Sequence, residues 1–441
     1  MSYQPPKNIW EVDANLKFNE PLGPEDDRYV STEEGRGDFI FNGLYRTLGI
    51  DPTDLSLMYP QENKYIIFCG HMGCGKSTEL RRLAKRLDKE NLYFVIFMDA
   101  NIELDPNNLQ YSDVLMSLAQ KLFEKLEKEK IRIDKIFIDK LMSWFKEKIL
   151  VHENIKSFAI DIASGGEIKS SIPFLVKIFS KLSGSFQTNS TYKEELRQII
   201  KNTFFQFASA FNQFILAAEE KIKNKEQKRK LLFIIDGTDK LSGDDSKKFF
   251  VDDFNQLQLI KANFIYCAPI ELIYESNKVQ QRFNHVILPM IKVYDKKKRT
   301  KFNKGYEVLR EIIFRRADKA LFPSKNIVDL IIENSGGNPR DILKLMHYAH
   351  LRSKTGKFDK EAVSRAIIDL ATDFKRILEP EDYEILIKFD TAVKFEQNSE
   401  RVRFLLDNLA LLEYNQYWRC SHPVIRKLDD YKKLAKRKTK E

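Results

Sequence analysis

Two runs of unbroken apolar residues stand out in a chain otherwise patterned at helical spacing. "KYIIFCG" (64–70) and "NLYFVIFMDA" (91–100) are apolar at successive positions, as strands buried on both faces are. Between them Leu80, Leu83, Ala84 and Leu87 recur at i, i+3, i+4 and i+7, which predicts an amphipathic helix. Strand, loop, helix and strand in that order open a parallel sheet covered by helices. "KLLFIIDG" (230–237) and "ANFIYCAPI" (262–270) predict two more buried strands, and "HVILPMIKV" (285–293) a further short one.

The stretch from 111 to 226 reads as a helical insertion. "YSDVLMSLAQKLFEKLEKE" and "DKIFIDKLMSWFKEKIL" are amphipathic, "SFAIDIASGGEIKSS" is expected as a hairpin or loop, and one long helix is expected from near Thr191 past Ala218. After residue 300 the pattern is helical again, through "GYEVLREIIFRRADKAL", "SKNIVDLIIENS", "PRDILKLMHYAHLRS" and "KEAVSRAIIDLATDF". From Glu381 the expected helices end in "VRFLLDNLALLEY", followed by an Asn-Gln turn pair and "YWRCSH". Helices followed by a short hairpin predict a winged helix-turn-helix.

The chemistry sits in the first strand–helix turn. Gly70, Gly73, Cys74, Gly75, Lys76 and Ser77 belong to a G-x-x-x-x-G-K-[ST] phosphate loop. The glycines let backbone N–H groups converge on phosphate oxygens, and the helix that follows offers its positive end. Lys76 is expected at the β- and γ-phosphates, Ser77 at Mg²⁺, and Thr78 at an adjacent phosphate. Such a loop also needs a carboxylate for the metal and one to orient water. Asp236 and Asp239, at the end of "LLFIIDGTDK", are the candidates for those two roles.

These elements predict an α/β fold: a three-layer, parallel-sheet P-loop NTPase core with a helical insertion, then an α-helical lid and a winged-helix domain. The expected division is an N-terminal segment (1–60), the core (61–300), the lid (301–375) and the winged helix with a basic tail (376–441). "QQRFNHVILP" places Arg282 before a strand, where an exposed arginine reaches a neighbour's phosphate or stays solvated. "SGGNPRDILKL" places Arg340 in the first turn of a helix, which the helix dipole disfavours. A bound anion or a nearby carboxylate would explain it. Asn263 and Glu271 flank the strand expected beside the γ-phosphate.

Composition narrows the setting. The 441 residues carry a net charge of +10, which favours acidic partners, with DNA first among them. Much of the excess lies in local runs at 221–230, 295–304 and the C-terminus, as on solvated faces. The four cysteines form no CxxC pair, and the opening residues lack a secretory pattern. A cytoplasmic protein without a membrane span is expected.

In this order the motifs resemble the AAA+/STAND division of P-loop ATPases. "IIDGTD" is similar to the acidic strand of NACHT-type members, "GGNPRDIL" to the lid segment shared with origin-initiator ATPases, and "QRFNHVILP" to an arginine-before-strand pattern. The resemblance spans most of residues 29–428 and implies ATP and Mg²⁺ as cofactors. It also implies an adenine pocket near Tyr29 and Val30 and a lid arginine at Arg340. Three departures matter. Gly237 stands where AAA+ enzymes carry Glu, Lys240 stands where STAND proteins often carry a second acid, and "CAPI" replaces a strand-ending arginine. Binding with slow hydrolysis is therefore expected. The first reading is a nucleotide-dependent switch, of the signalling kind that acts in bacterial conflict with phage, with an effector or a second copy as partner. The alternative is a DNA-binding initiator or loader that applies its winged helix to duplex DNA.

Overall fold

A computed structural model of the chain describes residues 3–438 except 38, 40, 59–61, 106–107, 153–170, 188–191, 223–228, 242, 276, 296–299, 393–394 and 396. The hairpin or loop expected at 157–171 falls, except for its last residue, outside the described residues.

Five strands form the sheet: β1 (Tyr65–Gly70), β2 (Tyr93–Asp99), β3 (Lys230–Asp236), β4 (Asn263–Pro269) and β5 (Asn284–Ile287). Their order is β2-β3-β4-β1-β5, and every pairing is parallel. β4 therefore lies between β1, which feeds the phosphate loop, and β3, which ends in Asp236. β5 takes in only the first part of the 285–293 stretch expected from sequence and ends two residues before Pro289, which has no N–H to donate to a ladder.

The unbroken apolar runs resolve into two faces. Ile67, Cys69, Ile96, Phe233 and Tyr266 face one core, while Ile66, Phe68, Val95, Ile234 and Cys267 face the other. Each large side chain so buried contributes about 1.5–3 kcal/mol. Helix α1 (Lys76–Lys89) covers the second face with Leu80, Leu83 and Leu87.

The insertion covers the first face. It comprises α2 (Tyr111–Lys128), α3 (Lys135–Trp144), α4 (Ile172–Gln187), α5 (Lys193–Asn202) and α6 (Phe204–Lys221). Phe123 meets Phe179 and Phe214 edge-on at ring distances of 5.0 Å. Arg197 donates to the buried Asp113 at 3.0 Å and ties α5 to α2. The long helix expected from Thr191 is two helices, broken at Thr203. Its hydroxyl bonds back to the Ile199 carbonyl at 2.8 Å and accepts from Trp144 at 3.2 Å, so a side chain competes with the helical ladder.

The lid is α7 (Asn303–Phe314), α8 (Lys325–Ser335), α9 (Pro339–Arg352) and α10 (Lys360–Lys375). The C-terminal unit is α11 (Pro380–Thr391), α12 (Glu400–Asp407), strands β6 (Leu411–Glu413) and β7 (Arg419–Ser421), and α13 (Asp429–Lys438). The expected helix through "ALLEY" ends instead at Asp407. Leu409 takes a left-handed φ of 61°, and Leu411–Glu413 become the first arm of the hairpin. Tyr414 stacks on Trp418 at 4.7 Å where the hairpin turns.

Lid and C-terminal unit share one core, which Ile9, Val12 and Leu16 of the N-terminal segment join. The hairpin reaches further. Leu412 and Tyr414 pack with Phe68, Cys74 and Leu288 against the sheet.

The turn between α8 and α9 depends on Gly337, at φ +82°, where an added Cβ would lie 1.8 Å from the Ile291 carbonyl oxygen. Gly337→Ala is expected to destabilise the protein by at least about 2 kcal/mol, read as a shift in urea midpoint at unchanged m-value.

Candidate nucleotide-binding site

β1 delivers Gly70 to the edge of the sheet and α1 begins at Lys76, so Gly70–Gly75 must turn within six residues. Gly73 and Gly75 take φ of +78° and +109°, a region that disfavours side chains. At Gly73 the constraint is double. A Cβ there would lie 2.5 Å from the Cβ of Arg340, because the start of α9 sits directly on the loop. Asn338, the N-cap of α9, donates to the Met72 carbonyl at 3.0 Å.

The loop's functional side chains are already engaged. The Lys76 ammonium donates to the carbonyls of Gly70 and His71 at 2.7 and 3.0 Å and pairs with Asp239 at 2.8 Å. Burial opposes that charge, but Asp239 outweighs it and raises the Lys76 pKa. Burial likewise pushes Asp239 up, and Lys76 overrides it to hold the carboxyl below its ordinary value. Ser77 donates to Asp236 at 2.8 Å. Burial, and then the Asp239 charge, push Asp236 up to about 6. Acidic oxygens of Asp236 and Asp239 and the Cys267 sulfur lie within 4.8 Å of one another. A hydroxyl and a carboxylate already in contact at the end of a phosphate loop fit a hard divalent cation held through oxygen, as Mg²⁺ is.

One cavity of about 320 Å³ runs along Gly73–Thr78. Tyr29, Val30, Asp236, Asp239 and Arg340 also line it. Thr78 accepts the Leu22 N–H at 3.1 Å, so the N-terminal segment closes over α1. Val30 offers an apolar wall. Tyr29 is more heavily used: its hydroxyl meets Glu79 at 3.2 Å, and the Arg82 guanidinium covers its ring at 3.6 Å. The Arg340 side chain donates to the Phe18 carbonyl, at 3.2 Å, and has no ion pair among the described residues, with the carboxylate weighed from the sequence or any other.

Arg282 is not brought to this cavity. It donates to the Val251 carbonyl at 3.1 Å and lies over the Phe254 ring at 4.8 Å. Asn263 is structural as well, linking the Lys64 N–H and the Leu231 carbonyl across three strands.

Three residues of the site were not singled out from sequence. Arg36 is 1% exposed and donates to the Cys74 carbonyl at 2.7 Å from beneath the loop. The pair of glycines around it, "GRG", was its only local sign. Arg316, after α7, lines the cavity and carries no such sign. His71, the second residue of the loop, is 1% exposed. Its Nδ1 donates to the Leu406 carbonyl at 3.1 Å, and its Nε2 accepts the Glu413 N–H at 2.7 Å. The loop is thus bonded to the end of α12 and to β6.

That docking also leaves little space beside Lys76. Gly70, Met72, Lys76 and Asp239 face Glu271, Leu406 and Asp407 across a cavity of only about 10 Å³. This is the lower limit for a single water and far short of a phosphoryl group. Burial and the adjacent Asp407 carboxylate push Glu271 up.

A phosphate loop after an interior strand of a parallel sheet, with the metal-side acid two strands away, decides the class. The fold is that of a P-loop ATPase. No protein-family model matches the chain, and no curated protein matches it. Among solved structures it is similar to the Walker-type ATPase of Pyrococcus abyssi, at 13% identity over 94% of this chain and 98% of that one, TM-score 0.42. It is also similar to the Orc1 protein of Aeropyrum pernix in complex with DNA, at 12% identity over 96% and 98%, TM-score 0.37. Cdc6p from Pyrobaculum aerophilum follows at 8% identity over 93% and 99%, TM-score 0.34. At these TM-scores the likeness carries no weight of its own beside the strand order and the loop.

Burial holds His71 neutral, with its pKa lowered from 6.5 to about 3. The unfolded ring takes a proton near its ordinary value and the folded ring resists. Stability from this site is therefore full above about pH 6.5 and is lost as pH falls toward 3. Between pH 7 and 5 the stability of the wild type relative to His71→Gln is expected to fall by about 2 kcal/mol, measured by urea unfolding at both values.

Proposed function

We propose that the protein binds ATP with Mg²⁺, hydrolyses it slowly, and acts as a nucleotide-dependent switch. One observation carries this reading: the C-terminal unit is bonded to the phosphate loop, and its Leu406 and Asp407 stand across a narrow cavity from Lys76 and Asp239. In this form the cradle suits a nucleoside diphosphate. Admitting a triphosphate requires Leu406 and Asp407 to withdraw.

The residues divide the work accordingly. Backbone N–H groups of Gly73–Thr78 hold the phosphates, and Ser77 and Asp236 hold Mg²⁺. A γ-phosphate competes with Asp239 for Lys76, which frees Asp239 to orient water. Arg340 faces the same cavity from the lid. Because lid and C-terminal unit share a core, they are suited to move as one body. An effector protein or a second copy of the chain is the partner such a motion would address, and the resemblance to STAND ATPases points to signalling in defence against phage.

The initiator reading fares less well on the same geometry. Arg401, at the start of α12, donates to the buried Asp382 at 2.6 Å, and Arg419 on the hairpin donates to Glu413 at 2.7 Å. A cation at the start of α12 and one on the hairpin are thus neutralised within the chain. Duplex binding that falls steeply with salt would restore that reading.

Calorimetry with ADP and ATP in Mg²⁺ tests the switch. The wild type is expected to bind ADP more tightly than ATP, and Lys76→Ala to weaken both by about 100-fold. Tighter binding of ATP than of ADP with the hairpin still docked would overturn the lock. Asp239→Asn is expected to leave ATP binding undiminished while slowing turnover about tenfold or more, measured as phosphate release.

A further inference from the structure

We propose that Arg316 reads the base of the bound nucleotide by donating to an acceptor atom on a purine ring. The inference rests on the cradle being a nucleotide site and assigns its specificity to a residue outside the phosphate motifs.

Arg316 is 5% exposed, so its guanidinium has lost nearly all of its water. It makes a single hydrogen bond, from Nη1 to the Arg28 carbonyl at 2.8 Å, and no ion pair among the described residues. The nearest carboxylate, Asp26, is committed to Arg28 through bonds of 2.6 and 2.9 Å. Burial, and then the neighbouring Arg28 charge, oppose the Arg316 charge, and Asp26 offsets them only in part. A guanidinium carries five N–H donors in a rigid fork, and most of this fork is unused. A buried cation left so poorly matched signals a group still to arrive.

The cavity says what kind of group. Arg316 lines the nucleotide cavity beside Val30, Ile312 and Leu343, from the N-terminal segment and two lid helices. The apolar walls of Val30, Ile312 and Leu343 suit a flat heteroaromatic ring better than a sugar or a phosphate, and Arg316 offers that ring a donor. The phosphate donors are supplied elsewhere, by the loop. The N-terminal segment at residues 28–30 borders the same place. A donor-only reader favours ring edges that present acceptors, as adenine does at its ring nitrogens, and disfavours edges that present N–H groups.

The test separates base from phosphate. Calorimetry is run with Mg-ADP and with Mg-pyrophosphate, which carries the phosphates without the base, on the wild type, Arg316→Met and Arg316→Lys. The expected result is a loss of about tenfold or more in ADP affinity for Arg316→Met, with pyrophosphate affinity unchanged and partial recovery in Arg316→Lys. Equal losses for both ligands, or no loss for ADP, would overturn the proposal. Should Arg316→Met fail to fold, the wild type decides it: ADP binding no tighter than pyrophosphate binding refutes a base reader. If the wild type binds none of these ligands, the nucleotide-site reading itself falls, which is a distinct outcome.

Discussion

Two hydrogen bonds at one buried imidazole hold this molecule in its form. His71 belongs to the phosphate loop, yet both of its partners lie more than three hundred residues away, at the end of α12 and on β6. A neutral ring suits the position because one nitrogen must donate and the other accept, and full burial keeps it so. With Asn338 gripping the next residue, the first half of the loop is shaped as much by the C-terminal third of the chain as by its own glycines.

Around that contact the charges form a closed set. Lys76 and Asp239 neutralise each other in a place where neither has access to much water. An incoming phosphate would exchange one anionic partner of Lys76 for another, and a buried carboxylate would be left behind. The cost of that exchange falls on Asp239 and on the Glu271–Asp407 pair across the narrow end.

The core was legible because its signals are local. Buried strands are continuous apolar runs, and the loop needs glycine, lysine and serine at fixed spacing. What escaped was decided at long range. Thr203 breaks a helix through bonds to Ile199 and to Trp144 on another element. Leu411 and Leu412 read as helix because leucine favours it, yet they pair with Ser421 and Cys420 as a strand. Arg36 and Arg316 were hidden because arginine is ordinarily solvated, and nothing in the adjacent residues records that the fold buries them. Arg282 shows the converse: a position that looked exposed is turned inward by Phe254 and Val251.

The shared core of lid and C-terminal unit has a thermodynamic consequence. Contact between hairpin and loop couples two equilibria, and such coupling is reciprocal: whatever factor the nucleotide applies to undocking, undocking applies to the nucleotide. A macromolecule that captured the freed hairpin face would therefore sense the phosphate count from outside, and would alter it, without touching the cradle.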